Sequence, residues 1–254
     1  MLNARSVLVT GSNRGIGLEL IRQLLGKSKR PEWVFATCRD PEGPRGQELK
    51  GLAAKHHEMK IVPLEATDPS SIQAAATEVT ETLQGAGLNL LINNAAIARL
   101  STLESETPED MSELYKNNTI GPMLVTKAFL PLLRKASQKS PQKGMSCSKA
   151  AIVNVSSEGG SITNVLMWDL GHFISYRCSK AALNMLTRCQ SLGYSEDEIL
   201  CIALHPGWVQ TDMGSSEAPL TVDASVRAIL KTLGHLSEKD NGTFVNWEGS
   251  AVPW

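Results

Sequence analysis

Long apolar runs, paired cysteines and net charge are all scarce in this sequence, and each shortage excludes a class of function. The 254 residues sum to a formal net charge of −1 with no block of like charges. Neither nucleic acid nor an anionic membrane surface is therefore an expected partner. The one basic stretch, 135–149, is diluted by Ser, Gln and Pro and reads as an exposed, polar connection. The five cysteines are an odd number without a C-x-x-C pair. They suit free thiols in a reducing compartment, and neither a disulfide framework nor a metal site is expected. No segment approaches the roughly 18 apolar residues that span a bilayer. The first apolar run, Val7 to Val9, is too short for a secretory signal. The expectation is a soluble cytoplasmic protein. With no internal repeat or low-complexity linker, it reads as one domain, 1–254, long enough to bury a full core.

What is present is alternation. Apolar, β-branched runs at 6–10, 33–37, 60–64, 88–93, 151–156, 200–205 and 243–245 predict about seven strands. Helical patterns lie between them, near 16–27, 45–58, 70–84, 110–135, 175–192 and 222–235. The strands lack polar alternation, so both faces are expected to be covered. The fold class is α/β, a Rossmann-like doubly wound parallel sheet with helices on both faces. Asp68-Pro69 and Thr107-Pro108 each join a capping side chain to a proline and predict helix starts.

The first strand runs directly into Gly11-Ser12-Asn13-Arg14-Gly15-Ile16-Gly17, and a helix pattern follows. A glycine loop in that context brings backbone N–H groups to a phosphate, with the helix dipole adding favourable field. The spacing is G-x-x-x-G-x-G, which departs from the common dinucleotide fingerprint G-x-G-x-x-G. Arg14 inside the loop and Arg39 just past the second strand suit the 2′-phosphate of NADP, which guanidinium groups grip with charge-assisted hydrogen bonds. Asp40 beside them keeps NAD open, but NADP is favoured.

Tyr176 and Lys180 stand i, i+4 on one helix face. A neighbouring ammonium favours phenolate and is expected to lower the tyrosine pKa from ~10. Such a tyrosine can give or take a proton near neutrality. Upstream, Ser157 follows a predicted strand and would sit at the sheet edge where the glycine loop lies. There it can donate to a carbonyl oxygen that gains charge. No histidine or acid is placed to make it a nucleophile, and no Gly-x-Ser-x-Gly occurs.

These motifs, with Asn93-Asn94-Ala95-Ala96, Asn118-Thr119-Ile120-Gly121-Pro122 and His205-Pro206-Gly207-Trp208-Val209-Gln210-Thr211, resemble the short-chain dehydrogenase/reductase family over nearly the whole chain. Within it, residues 209–213 and 246–249 are most similar to C-factor/sniffer-like carbonyl reductases. The resemblance implies an NADPH-dependent reductase of ketones or aldehydes. Tyr176 would be the acid–base residue, and Lys180 would tune it and hold the nicotinamide ribose. Ser157 would polarise the carbonyl. Asn118 would fix a relay water, with Asn117 the less well-spaced choice. The resemblance implies further cofactor contacts at Glu65, Ala66 and Ala95, and at Pro206, Gly207, Val209 and Thr211, with Asn93 stabilising the central sheet beside the cofactor. Ile97, Trp168, Trp208 and Met213 are the expected apolar walls of the substrate site.

Three departures stand out. Ala96 replaces a glycine, and Glu65 stands where the family has aspartate. The Ser157–Tyr176 interval is long, and its insert carries Trp168, His172 and Phe173. The segment after Thr211 is short, which predicts an open pocket. Apolar faces on the helices from about 112 and 175 predict a homodimer. Two other readings stay open: a non-catalytic NADP-binding module and an NAD-linked alcohol dehydrogenase.

Overall fold

The computed structural model describes residues 1–254, the side chain of Leu170 excepted. The apolar runs become β1 (Ser6–Thr10), β2 (Trp33–Cys38), β3 (Met59–Pro63), β4 (Leu90–Asn93), β5 (Ala151–Val155), β6 (Leu200–His205) and β7 (Phe244–Asn246). All pair in parallel, in the order β3-β2-β1-β4-β5-β6-β7. The order changes direction between β1 and β4, which opens a crevice beyond the strand C-termini.

Side chains alternate between two apolar layers, as the two-residue period of a strand demands. Val7 and Val9 face α1 (Gly15–Leu25) and α7 (Val222–Leu233), joining Ile21, Leu24, Ile229 and Leu233. Leu8, Leu91 and Ile152 face α3 (Pro69–Leu83) and α5 (Gly121–Lys139), joining Val79, Phe129 and Leu133. Burying one such Leu, Ile or Phe contributes ~1.5–3 kcal/mol. Covered on both faces, the strands have no position that calls for a polar outward residue.

Both expected helix starts form. Asp68 accepts from Ser70 N at the head of α3, and Thr107 accepts from Asp110 N at the head of α4 (Pro108–Tyr115). The single helix expected over 110–135 is broken. Between α4 and α5 lies one π turn, Lys116–Ile120, in which Gly121 N donates to Lys116 O. Pro122 supplies the reason, because it has no N–H for the carbonyl four residues back. The helix expected over 45–58 shortens to α2 (Gln47–Ala53), entered through a tight turn at Pro44–Gly46. The longest of the described helices is α6 (Ile174–Gly193). Among the described residues, no helix is long and apolar enough to cross a membrane. No group of three metal-ligating side chains is found among them either.

Candidate active site

The glycine loop closes on a very small clearance. Gly11 and Gly15 adopt φ of 65° and 51°, where glycine alone is unstrained. A Cβ on Gly17 would lie 2.2 Å from Gly11 O and 2.7 Å from Asn94 Nδ2. Asn94 is the clamp here. Its Nδ2 donates to Thr10 O at 2.9 Å and to Gly11 O at 3.2 Å. Thr10 Oγ1 in turn accepts from Asn94 N and Ala95 N, each at 3.0 Å. Sequence reasoning singled out the neighbour, Asn93, which is buried beneath the cleft. Asn93 Nδ2 donates to Thr126 Oγ1 at 3.1 Å and Asn154 Oδ1 at 2.9 Å, bracing β4 against α5 and β5. Ser12 also turns inward, its hydroxyl donating to Val9 O at 2.7 Å and its N–H to Thr37 O at 2.9 Å.

A long cleft runs from this loop across the carboxyl edge of the sheet. Gly11, Asn13, Arg14, Gly15 and Ile16 line it together with Glu65, Ala66 and Ala95. At one end it gathers three arginines. Arg14 Nη1 and Arg45 Nη2 share Asp212 Oδ2 at 3.1 and 3.2 Å, and Arg39 Nε lies 3.4 Å from Glu65 Oε2. Arg45 was not anticipated, because it follows the second strand by seven residues and is brought back only by the turn at Pro44. Asp40 Oδ1 accepts from Glu42 N at 3.1 Å and Gly43 N at 2.9 Å, so this carboxylate is engaged in folding its own loop. Glu65 Oε1 likewise accepts from Thr67 N and Thr67 Oγ1, at 3.2 and 3.0 Å.

At the other end lie Tyr176 and Lys180, on the first turns of α6, with Ser157 beside them. Lys180 is buried. Its Nζ stands 5.6 Å from the Tyr176 ring centroid and donates to Val155 O at 2.8 Å. Burial pushes its pKa down to about 7. Ser157 Oγ accepts from Gly159 N at 3.0 Å. A Cβ on Gly159 would lie 3.3 Å from Ser157 Oγ and 3.8 Å from Tyr176 Cε1, so one point in space adjoins both groups. The tyrosine differs from expectation. Burial raises its pKa, and the Ser157 hydroxyl and Arg177 only partly oppose this. The physical reason is shared desolvation, because a lysine held near neutrality exerts a reduced cationic field on its neighbour.

Asn118 is fully buried in the π turn. Its Oδ1 accepts from Ile97 N at 2.9 Å, and its Nδ2 donates to Ile97 O at 2.8 Å and Ser179 Oγ at 3.0 Å. The side chain thus joins the β4 exit to α6 and does not line the cleft. Asn117 does line it, with its Nδ2 donating to Glu113 O. Pro206 and Thr211 reach the cleft, and Gly207 and Val209 support them from behind. A Cβ on Gly207 would meet Leu220 Cδ1 at 2.3 Å, and Val209 pairs with Leu220. Of the four expected walls, Ile97 and Met213 line the cleft. Trp168 instead stacks on His172 at 4.1 Å, under the Arg177 guanidinium at 5.8 Å. The Trp208 ring turns to Gly214 O, to which its Nε1 donates.

A parallel sheet of this order, with a phosphate-sized glycine loop at one end and a tyrosine–lysine pair at the other, belongs to one known architecture. The family profile described as short chain dehydrogenase matches residues 5–219. The chain belongs to that family. It is therefore an oxidoreductase. Among solved structures, an NADPH-bound carbonyl reductase from chicken fatty liver is 61% identical with a TM-score of 0.98, and the match covers 100% of this chain and 96% of that one. The carbonyl reductase Sniffer of D. melanogaster is 38% identical with a TM-score of 0.94, covering 99% and 100%. The C-signal protein of Myxococcus xanthus is 36% identical over 168 residues, which are 66% of this chain and 93% of that protein.

Proposed function

We propose that this short chain dehydrogenase is an NADPH-dependent carbonyl reductase acting on ketones or aldehydes. The observation that carries the reading is that Tyr176 and Lys180 line the cleft together, with the Ser157 hydroxyl beside the tyrosine. NADPH, when bound, supplies the hydride. The remaining work belongs to the chain's own side chains. The Ser157 hydroxyl donates to the substrate oxygen, and Tyr176 Oη delivers the proton to it. Lys180, with its pKa near 7, exchanges protons readily at cellular pH and can resupply the tyrosine. We assign the Asn118 carbonyl to hold the relay water toward Lys180, since its α-helical donor would be Pro122, which has no N–H.

The residues present suit the dinucleotide. The loop's glycines leave the space that a Cβ would fill, and Arg14, Arg39 and Arg45 gather where a 2′-phosphate would be neutralised. Asp40 Oδ1 is engaged by Glu42 N and Gly43 N, and Glu65 lies against Arg39, so both acids near this arginine already have partners within the fold. This supports NADP over NAD. The relatives named as carbonyl reductases and the NADPH of the chicken liver enzyme support the same reading.

The test is NADPH oxidation followed at the nicotinamide absorbance against a panel of carbonyl compounds. Activity with at least one ketone or aldehyde is expected, together with its loss in Tyr176→Phe. Normal turnover in that variant would remove the tyrosine from the mechanism.

The continuous sheet supports a single domain over 1–254, and five unpaired thiols support a cytoplasmic setting. A homodimer is proposed through α6, whose outer face exposes Cys178, Met185, Cys189 and Leu192 along one stripe beside Met111 and Tyr115 of α4. Sedimentation should show a dimer that Met185→Glu with Leu192→Glu converts to monomer.

A further inference from the structure

Helix α6 carries Tyr176 and Lys180, yet it has no N-terminal cap of its own. Phe173, the residue before it, lies in the left-handed region at φ 50° and makes no capping bond with its side chain. The first N–H groups of a helix have no intrahelical acceptor. Here the segment between β4 and α4 provides them. Phe173 N donates to Ser101 O at 3.2 Å, Ile174 N to Ser101 Oγ at 3.1 Å, and Ser175 N to Glu106 Oε2 at 3.0 Å. The Ser101 hydroxyl donates to that same Glu106 oxygen, which makes the two side chains one unit.

This unit is enclosed. Ser101 is buried, and Glu106 Oε1 is shut away from solvent without a hydrogen-bond partner. Burial pushes the Glu106 carboxyl up, but hydrogen bonds from Ser101 and Ser175 outweigh it and hold the group below the ordinary carboxylate range. The helix dipole favours the same charged state.

The next residue along the chain is Tyr176. Beside the helical bond that Arg177 N donates to Phe173 O at 2.9 Å, these bonds give the N–H groups of Phe173, Ile174 and Ser175 their acceptors, so releasing them loosens the first turn on which the tyrosine stands. Lys180 lies one turn further and has anchors besides this unit, one of which, Ser179 Oγ, also donates to Tyr176 O at 2.8 Å. Ser179 Oγ accepts from Asn118 Nδ2 at 3.0 Å, Ser179 O accepts from Thr119 Oγ1 at 2.9 Å, and Gly160 packs against the Lys180 backbone. We infer that Ser101 and Glu106 are positioning residues for Tyr176, an acceptor pair lent to α6 by a distant segment that sets turnover without setting cofactor affinity. This rests on the reading of Tyr176 as the proton donor.

The experiment uses the full chain with Glu106→Ala, Ser101→Ala, Glu106→Gln and Tyr176→Phe. For each, kcat and KM are measured on a carbonyl compound that the wild type reduces, and NADPH dissociation is measured by fluorescence titration. In Glu106→Ala, kcat should fall about five- to thirtyfold, the factor that loss of one or two capping bonds represents. KM and the NADPH dissociation constant should stay within about twofold. Glu106→Gln should recover most of kcat, because its amide oxygen still accepts from Ser175 N. The double alanine variant should be little worse than either single one. Should Glu106→Ala fail to fold, Ser101→Ala, which removes only a hydroxyl, carries the same expectation. Unchanged kcat in the alanine variants, or NADPH affinity lost in step with kcat, overturns the inference. If Tyr176→Phe keeps full turnover, the proposed function fails; if it is dead while the alanine variants are normal, only the positioning role fails.

Discussion

Replacing Gly17 by alanine adds one methyl group where the cleft has no room for it. The new Cβ would lie 2.2 Å from Gly11 O, 2.9 Å from Gly11 C and 2.7 Å from Asn94 Nδ2. Comfortable carbon contacts begin at ~3.5 Å, so the first turn of α1 or the Gly11 carbonyl must retreat by about 1 Å. Neither is free to do so. Gly11 is pinned at φ 65°, and its carbonyl accepts from Asn94 Nδ2, which is tied at the same time to Thr10 O. Overpacking against backbone costs about 1–3 kcal/mol, and loss of one Asn94 bond adds about 1 kcal/mol. Alanine regains somewhat less than 1 kcal/mol of helix propensity so near the helix start. A net loss of about 1–3 kcal/mol predicts a Tm roughly 3–10 °C lower for a chain of this size. NADPH affinity should fall at least about tenfold, because the loop N–H groups lose their aim. Gly51→Ala is the control. It sits on α2 with nothing within 4 Å of the added Cβ, so it should gain about 0.5–1 kcal/mol. Thermal unfolding by circular dichroism and fluorescence titration with NADPH read both variants. A Gly17→Ala protein with wild-type Tm and affinity, or two glycine variants shifting in the same direction, would refute the reasoning.

Arg45→Ala should weaken NADPH binding about tenfold and leave NADH binding unchanged, as expected for one charge-assisted contact to a 2′-phosphate; equal losses for the two cofactors would count against that role. His205, buried with its Nε2 3.5 Å from Glu158 Oε2, has its pKa pushed down to about 4 by burial. Its folded pKa lies below the unfolded ~6.5, so the stability it contributes is complete above that pH and is lost as pH falls toward 4. The amount is up to about 3 kcal/mol. His205→Asn should flatten the denaturant midpoint over pH 4–6.5, and an unchanged acid limb would exclude the histidine as its source. Cys178 and Cys189 are exposed whereas Cys38, Cys147 and Cys201 are buried, Cys147 with its thiol pushed up to about 12. In the monomeric Met185→Glu, Leu192→Glu variant a thiol reagent should therefore titrate two groups, and five after unfolding. A native count of five would contradict this packing.

Much of this molecule is written locally. Continuous apolar strands separated by helical periods already implied a sheet covered on both faces, since no other arrangement removes both sides of such strands from water. Gly11, Gly15 and Gly17 between strand and helix, and Tyr176 four residues before Lys180, were legible for the same reason. Each is a short-range pattern whose spacing alone sets its geometry. Even the break at Pro122 lay in the sequence, as a missing N–H, although the apolar period across 110–135 hid it.

The rest depended on which distant segments meet. Asn93 ends β4 and Asn94 follows it, and the two side chains reach different partners. The bracing role of Asn93 was expected from the resemblance, but only the neighbouring strands determined that Asn94 clamps the glycine loop. Arg45 entered the cleft because a proline turn folds back toward the first loop, and Trp168 left it because His172 and Arg177 offer its ring a better partner. The sign of the Tyr176 shift also reversed, because charge pairing can be inferred from spacing but desolvation requires knowing what surrounds both groups. The sequence by itself determined the sheet, the glycine loop and the spacing of the tyrosine–lysine pair. The tertiary structure alone decided who caps the helix beneath that pair, since Ser101 and Glu106 reach α6 across some seventy residues of chain.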